Sequence, residues 1–216
     1  SGWVFDRQTR ALTLVDVAVQ SFFAAGVREM VMSENGRYVA FSSAGAGTQR
    51  QLVPDFIDDN GPMVDLYVRD LQAGTTRLVS RQSTDTRRGS PAGVETTTSE
   101  YPGVLSADGT RLLFSASFAQ LIPNGSTARN LYLYRWATDD IVLVSAATGQ
   151  SIIAPGVSVD VADASTDASF SMTADGAFAA FTASATQVEL AAEATSGRRN
   201  VFVRDLTATT APTTLV

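Results

Sequence analysis

Five oxygen-bearing residues crowd one stretch of the chain: Asp55, Asp58, Asp59, Asn60 and Asp65. Carboxylates, amides and backbone carbonyls at this density can supply the oxygen ligands that calcium prefers. These five are therefore the candidate metal site, with calcium the candidate cofactor. The match is loose, because Asp58-Asp59-Asn60-Gly61 is only like the start of an EF-hand and no Glu closes the loop at its twelfth position. The competing reading is a solvated turn in which Asp and Asn bond their own backbone. A second acidic group, Asp160, Asp163 and Asp167, falls in a connector rich in Ser, Ala and Asp and reads as exposed linker. Glu95, Glu100 and Glu189 would be the carboxylates for glycoside hydrolysis, but nothing in the sequence pairs them.

Composition removes whole classes of chemistry. The 216 residues contain 16 Lys plus Arg, all of them Arg, and neither His nor Cys. Without Cys there is no disulfide, zinc thiolate site or thiol nucleophile. Without His there is no Ser-His-Asp triad, and without Lys no Schiff base or Walker-type phosphate loop. A formal charge of −6 argues against nucleic acid as a partner. No stretch reaches the roughly 20 apolar residues that span a bilayer, so membrane insertion is not expected. No signal peptide is visible at the first residues.

Those candidate residues must be positioned by something, and a repeat shows what. Ser33-Glu34-Asn35-Gly36 leads into Tyr38-Val39-Ala40-Phe41, Ser106-Ala107-Asp108-Gly109 into Arg111-Leu112-Leu113-Phe114, and Thr173-Ala174-Asp175-Gly176 into Phe178-Ala179-Ala180-Phe181. Asn-Gly and Asp-Gly between apolar runs mark hairpins, since such turns need a positive φ that Gly adopts freely. The steps between these glycines are 73 and 67 residues, long enough for four strands with generous loops. A third strand (Asp65-Leu66-Tyr67-Val68-Arg69-Asp70 and its counterparts from Asn130 and Asn200) and a fourth strand complete each unit. The first residues match strands three and four: Val4-Phe5-Asp6 aligns with Val68-Arg69-Asp70, and Leu14-Val15 with Leu78-Val79.

The prediction is an all-β chain forming a β-propeller segment of four-stranded antiparallel blades. Its parts are a half blade over residues 1–15, then blades over 27–80, 99–145 and 167–216. The only candidate for a helical turn is residues 187–194. Phe41, Phe114 and Phe181 are expected in the core, and Tyr67, Tyr132 and Phe202 in packing between blades. Arg69 with Asp70, and Arg204 with Asp205, are expected to serve structure at strand ends. Trp3 and Trp136 have no partner visible in the sequence.

These motifs resemble the TolB-like β-propeller family, whose repeats run Ser-x-Asp-Gly, an apolar strand ending Ala-Phe, a strand like Asp-Leu-Tyr-Val-Arg-Asp, and a Gly-Thr turn into Leu-Val-Ser. The likeness is to the secreted bacterial branch, on the loop from Leu52-Val53-Pro54-Asp55 to Asn60-Gly61. The second unit departs from the pattern, with Arg135 in place of the Asp and a shortened loop, Leu121-Ile122-Pro123-Asn124-Gly125. Family members close with six or more blades, so the resemblance implies a piece of a longer protein. It also implies an extracellular, cell-surface or periplasmic location. The function expected is a non-catalytic scaffold for protein–protein interaction, with a protein partner or further blades of the same protein as its contacts. The alternatives are a substrate-gating domain of a larger hydrolase and a structural subunit of an extracellular assembly, the latter a homo-oligomer. Recognition is expected in the loops at residues 52–64 and 81–95.

Overall fold

The computed structural model describes residues 1–19, 26–43, 51–57, 64–89, 102–117, 119–123, 125, 129–145, 170–184, 199–208 and 213–216. Among them lie 14 strands: β1 Trp3–Phe5, β2 Leu12–Leu14, β3 Val27–Met32, β4 Tyr38–Ser43, β5 Asp65–Asp70, β6 Thr75–Leu78, β7 Val104–Leu105, β8 Arg111–Ala116, β9 Asn130–Arg135, β10 Asp140–Leu143, β11 Phe170–Met172, β12 Phe178–Ser184, β13 Arg199–Asp205 and β14 Thr213–Leu215. A single 3-10 turn, Ala119–Leu121, is the one helical element among the described residues. No described helix is long and apolar enough to cross a membrane.

The strands form one two-stranded sheet, β1-β2, and three four-stranded sheets in chain order, β3-β4-β5-β6, β7-β8-β9-β10 and β11-β12-β13-β14. All pairings are antiparallel. The first strands are neighbours, β7 lying beside both β3 and β11. This is the blade-by-blade arrangement of a partial β-propeller.

Stacking explains the burial. Strand β4 is buried along its whole length and β5 at all but one residue, because their blade is covered on both faces. Period-two alternation then sorts side chains between two cores rather than between core and water. Phe41, Tyr67 and Leu78 meet Val4 of β1 and Val15, the residue after β2. Ala40, Leu66 and Val68 point the other way, to Leu112, Phe114 and Tyr132 of the next blade. Leu113, Leu131 and Leu133 in turn meet Ala179, Phe181 and Phe202. The three repeated phenylalanines are fully buried or nearly so, each beside the aromatic of its third strand, with ring centroids 5.5, 5.8 and 5.9 Å apart.

The repeated turn owes its hydroxyl to a bond network present three times. Ser33, Ser106 and Thr173 each donate a hydroxyl hydrogen to the Asn or Asp two residues on, at 2.7, 2.6 and 2.6 Å. The same oxygens accept the backbone N–H of Tyr38, Arg111 and Phe178 at 3.0, 3.1 and 3.0 Å. The Asx oxygen accepts the N–H of the residue after Gly, and Gly36, Gly109 and Gly176 hold φ of 70°, 73° and 69°.

Candidate functional site

At one end of the stack the three turns touch each other. Asn35 N–H donates to the Ala107 carbonyl at 3.1 Å and Asn35 Nδ2 to the Asp108 carbonyl at 2.8 Å. Ala107 N–H donates to the Ala174 carbonyl at 2.7 Å, and Arg111 Nη1 to the Gly176 carbonyl at 2.6 Å. The turns are thus blade-to-blade links as well as hairpins, a role invisible in any single repeat.

Between this ladder and the first sheet opens a cavity of about 640 Å³. Val4, Phe5 and Thr13 line one side, and Met32, Gly36 and Leu71 the other. Above the first sheet Trp3, Phe5 and Leu12 are exposed at 52, 54 and 63%. The cavity and this apolar face form the candidate contact site.

Several carboxylates of the described residues are engaged in structure. Asp70 is buried and accepts Arg37 Nε and Nη2, with Nη2 at 2.6 Å, as well as the N–H groups of Gln72 and Ala73. The Arg37 bonds, with the backbone donors, outweigh burial and hold its carboxyl below the usual range. Asp6 and Asp205 cap the turns after the corresponding strands, and both are held low by Thr9 and Thr207 respectively. In the second full blade, where Arg135 replaces the Asp, Asp140 from the next strand pairs with that Arg and is held low by it. A carboxylic acid serving as a proton donor near neutral pH needs the opposite shift.

The sequence-derived metal candidates divide. Asp58, Asp59 and Asn60 lie outside the described residues, as do Asp160, Asp163, Asp167, Glu95, Glu100, Glu189 and residues 187–194. Asp55 takes a positive φ of 57°. Asp65 is buried, and its Oδ1 accepts the Ser80 hydroxyl at 2.7 Å while Ser80 Oγ accepts the Leu66 N–H at 2.9 Å. Asn130, Ser145 and Leu131 repeat this arrangement in the next blade. Asp65 therefore ties the start of its third strand to the end of its fourth.

Trp136 has partners that sequence reasoning missed. Its ring sits edge-on to Tyr38, centroids 5.1 Å apart, and the Arg77 guanidinium lies 4.0 Å from its centroid. Arg77 Nη1 donates to the Trp136 carbonyl at 2.8 Å, and Arg81 reaches Asp139, which accepts the Tyr134 hydroxyl at 2.7 Å. Burial pushes the Tyr134 phenol up and that of Tyr132 to about 12. The cluster joins one blade to the next through residues some 60 positions apart.

These directions set a pH profile. Carboxylates with depressed pKa stabilise the fold above their unfolded value and lose that contribution as pH falls through the folded one. Buried phenols with raised pKa do the reverse, losing their contribution above about pH 10. No His or Cys titrates between. The melting temperature is expected to be flat from about pH 5 to 8 and to fall below about pH 4. Calorimetry across that range checks it, and a step near pH 6.5 would contradict it.

No family model and no curated protein matches the chain. Among solved structures it is similar to TolB from Acinetobacter baumannii, at 12% identity and a TM-score of 0.43, over 99% of this chain and 36% of that one. It is similar to the tricorn protease at 12% identity and a TM-score of 0.46, over 94% of this chain and 15% of that one. A third is the β-propeller domain of the Trilobed protease from Pyrococcus furiosus, at 10% identity and a TM-score of 0.37, covering 97% and 60%. The neighbours are TolB-like β-propeller proteins, and the chain spans about a third of the TolB structure it matches.

Proposed function

We propose that the chain is a non-catalytic β-propeller scaffold through which a secreted or cell-surface bacterial protein contacts other proteins. The observation that supports this reading is the apolar surface at the two ends of the stack. Trp3, Phe5 and Leu12 are more than half exposed on the first sheet. At the other end Val201, paired with Thr182, occupies the place of Leu66 and Leu131, paired with Ser42 and Ser115. Both leucines are fully buried under a neighbouring blade, whereas Val201 is 45% exposed. Phe178 is exposed on the same last blade. Surface of this kind on a rigid frame fits a contact role.

Photo-crosslinking in the producing cells tests the reading. With benzoylphenylalanine at Phe5, Leu12 or Phe178, discrete adducts to protein are expected. No adduct from any of these sites would overturn the reading. So would turnover of peptide or glycoside substrates by the purified chain that Asp139→Asn abolishes.

A further inference from the structure

The three full blades carry Asn35-Gly36, Asp108-Gly109 and Asp175-Gly176 at the same turn, and of these pairs only the first has an amide. Asn-Gly is the pair most prone to lose ammonia, because a following Gly leaves the next backbone nitrogen unhindered. That nitrogen attacks the side-chain Cγ, the Cγ–Nδ2 bond breaks and ammonia leaves. Water then opens the resulting succinimide at either carbonyl, giving Asp or isoaspartate. Ionised carboxyls are poor electrophiles for the same attack. Against the pull of burial, the Ser106 and Thr110 bonds hold the Asp108 carboxyl below the usual range, and the Thr173 bond holds that of Asp175 low.

Asn35 and Gly36 are exposed, so water and base reach them, and hydrogen bonds are what restrain the reaction. The nucleophile is engaged, because Gly36 N–H donates to the Ser33 carbonyl at 2.9 Å. The electrophile is fixed, with Asn35 Oδ1 accepting the Ser33 hydroxyl at 2.7 Å and the Arg37 N–H at 3.0 Å. Two further bonds reach the next blade: Asn35 Nδ2 donates to the Asp108 carbonyl at 2.8 Å and Asn35 N–H to the Ala107 carbonyl at 3.1 Å. These two are lost when the first two full blades part.

Within its own turn a carboxylate can replace the amide. Asp108 and Asp175 each accept a hydroxyl and a backbone N–H as Asn35 does. Across the turns it cannot. A carboxylate has no hydrogen for the Asp108 carbonyl, and its second oxygen would face that carbonyl oxygen. In the second turn the corresponding oxygen, Asp108 Oδ2, accepts the Thr110 hydroxyl at 2.9 Å. Arg37 stands in the place of Thr110 in the first turn, and its guanidinium is committed to Asp70.

We propose that Asn35 is a deamidation site sealed by the contact between the first two full blades and released when they part, and that its product weakens the contact that sealed it. The inference does not depend on what the scaffold contacts.

The whole chain and a peptide of residues 30–41 are aged side by side in mildly alkaline buffer. Cleavage after Arg then isolates Asn35 within residues 29–37, apart from Asn60-Gly61 and Asn124-Gly125, for mass spectrometry. Deamidation of Asn35 is expected to be about tenfold or more slower in the chain, since the Gly36 N–H and Nδ2 bonds must both open first. Sub-denaturing urea is expected to speed it in the chain and not in the peptide, because parting the blades exposes surface. Phe114→Ala, in the core those blades share, is expected to speed it as well. The urea series needs no variant and decides even where Phe114→Ala does not fold. Asn35→Asp is expected to lower the urea midpoint of the chain. A peptide-like rate in the folded chain, or a slow rate that urea leaves unchanged, overturns the seal. An Asn35→Asp chain with the parent's midpoint overturns the weakening by the product.

Discussion

Gly109→Ala is expected to destabilise the protein by about 2–5 kcal/mol, while Gly36→Ala at the equivalent turn costs about 1 kcal/mol. Both glycines hold nearly the same left-handed φ, 73° and 70°, so both substitutions carry the same backbone cost. They differ in what the new methyl meets. At Gly109 it lies 2.4 Å from Tyr38 Cδ2, and Tyr38 is itself held by Trp136 and cannot simply swing away. At Gly36 the methyl enters open space. Chemical denaturation of the two variants measures the difference. Equal losses would mean that the turns act only as hairpins and that Tyr38 does not bridge two blades.

Phe114→Ala carries the second large effect, a loss of about 3–5 kcal/mol, or a fall of about 10 °C in melting temperature for a domain of this size. Phe114 has no solvent exposure, stacks on Tyr132 at 5.8 Å, and sits in the core shared by two blades with Ala40, Leu66 and Val68. Truncation leaves a void that two stiff sheets cannot close. Phe178→Ala is the internal comparison. Phe178 is 44% exposed on the last blade, and its truncation is expected to cost about 1 kcal/mol or less. Scanning calorimetry on the pair checks both the register of the strands and the identity of the end face.

Much of the frame was legible because its signals are local. Asn-Gly and Asp-Gly mark positive φ, and the strands around them carry their partners within one repeat. The match of Val4 to Val68 identifies the first two strands as a third and a fourth strand. The third strands read as alternating, and in β5 and β9 both faces are buried because blades lie on both sides. What escaped are contacts between units. Trp136 looked unpartnered because Arg77 and Tyr38 belong to the preceding blade. Within a blade, Asp65 reads as a candidate metal ligand from its acidic neighbours in sequence, and its bond to Ser80 spans a strand, a turn and another strand. The turn-to-turn bonds use backbone groups, which no side-chain pattern announces. Arg135 stood out as a departure, and its partner Asp140 lies just beyond the turn that follows.

Amide hydrogen exchange by NMR on the isolated chain tests the blade-stack account most directly. Turns exposed to water ordinarily exchange fast, but Asn35 and Ala107 donate to the carbonyls of the next turn, while Trp3 and Phe5 lie in a strand whose outer edge has no partner among the described residues. The account predicts strong protection at Asn35 and Ala107, set by opening of the blade stack, and near-unprotected exchange at Trp3 and Phe5. Fast exchange at Asn35 and Ala107, or protection at Trp3 and Phe5 equal to that of Tyr67, would contradict it.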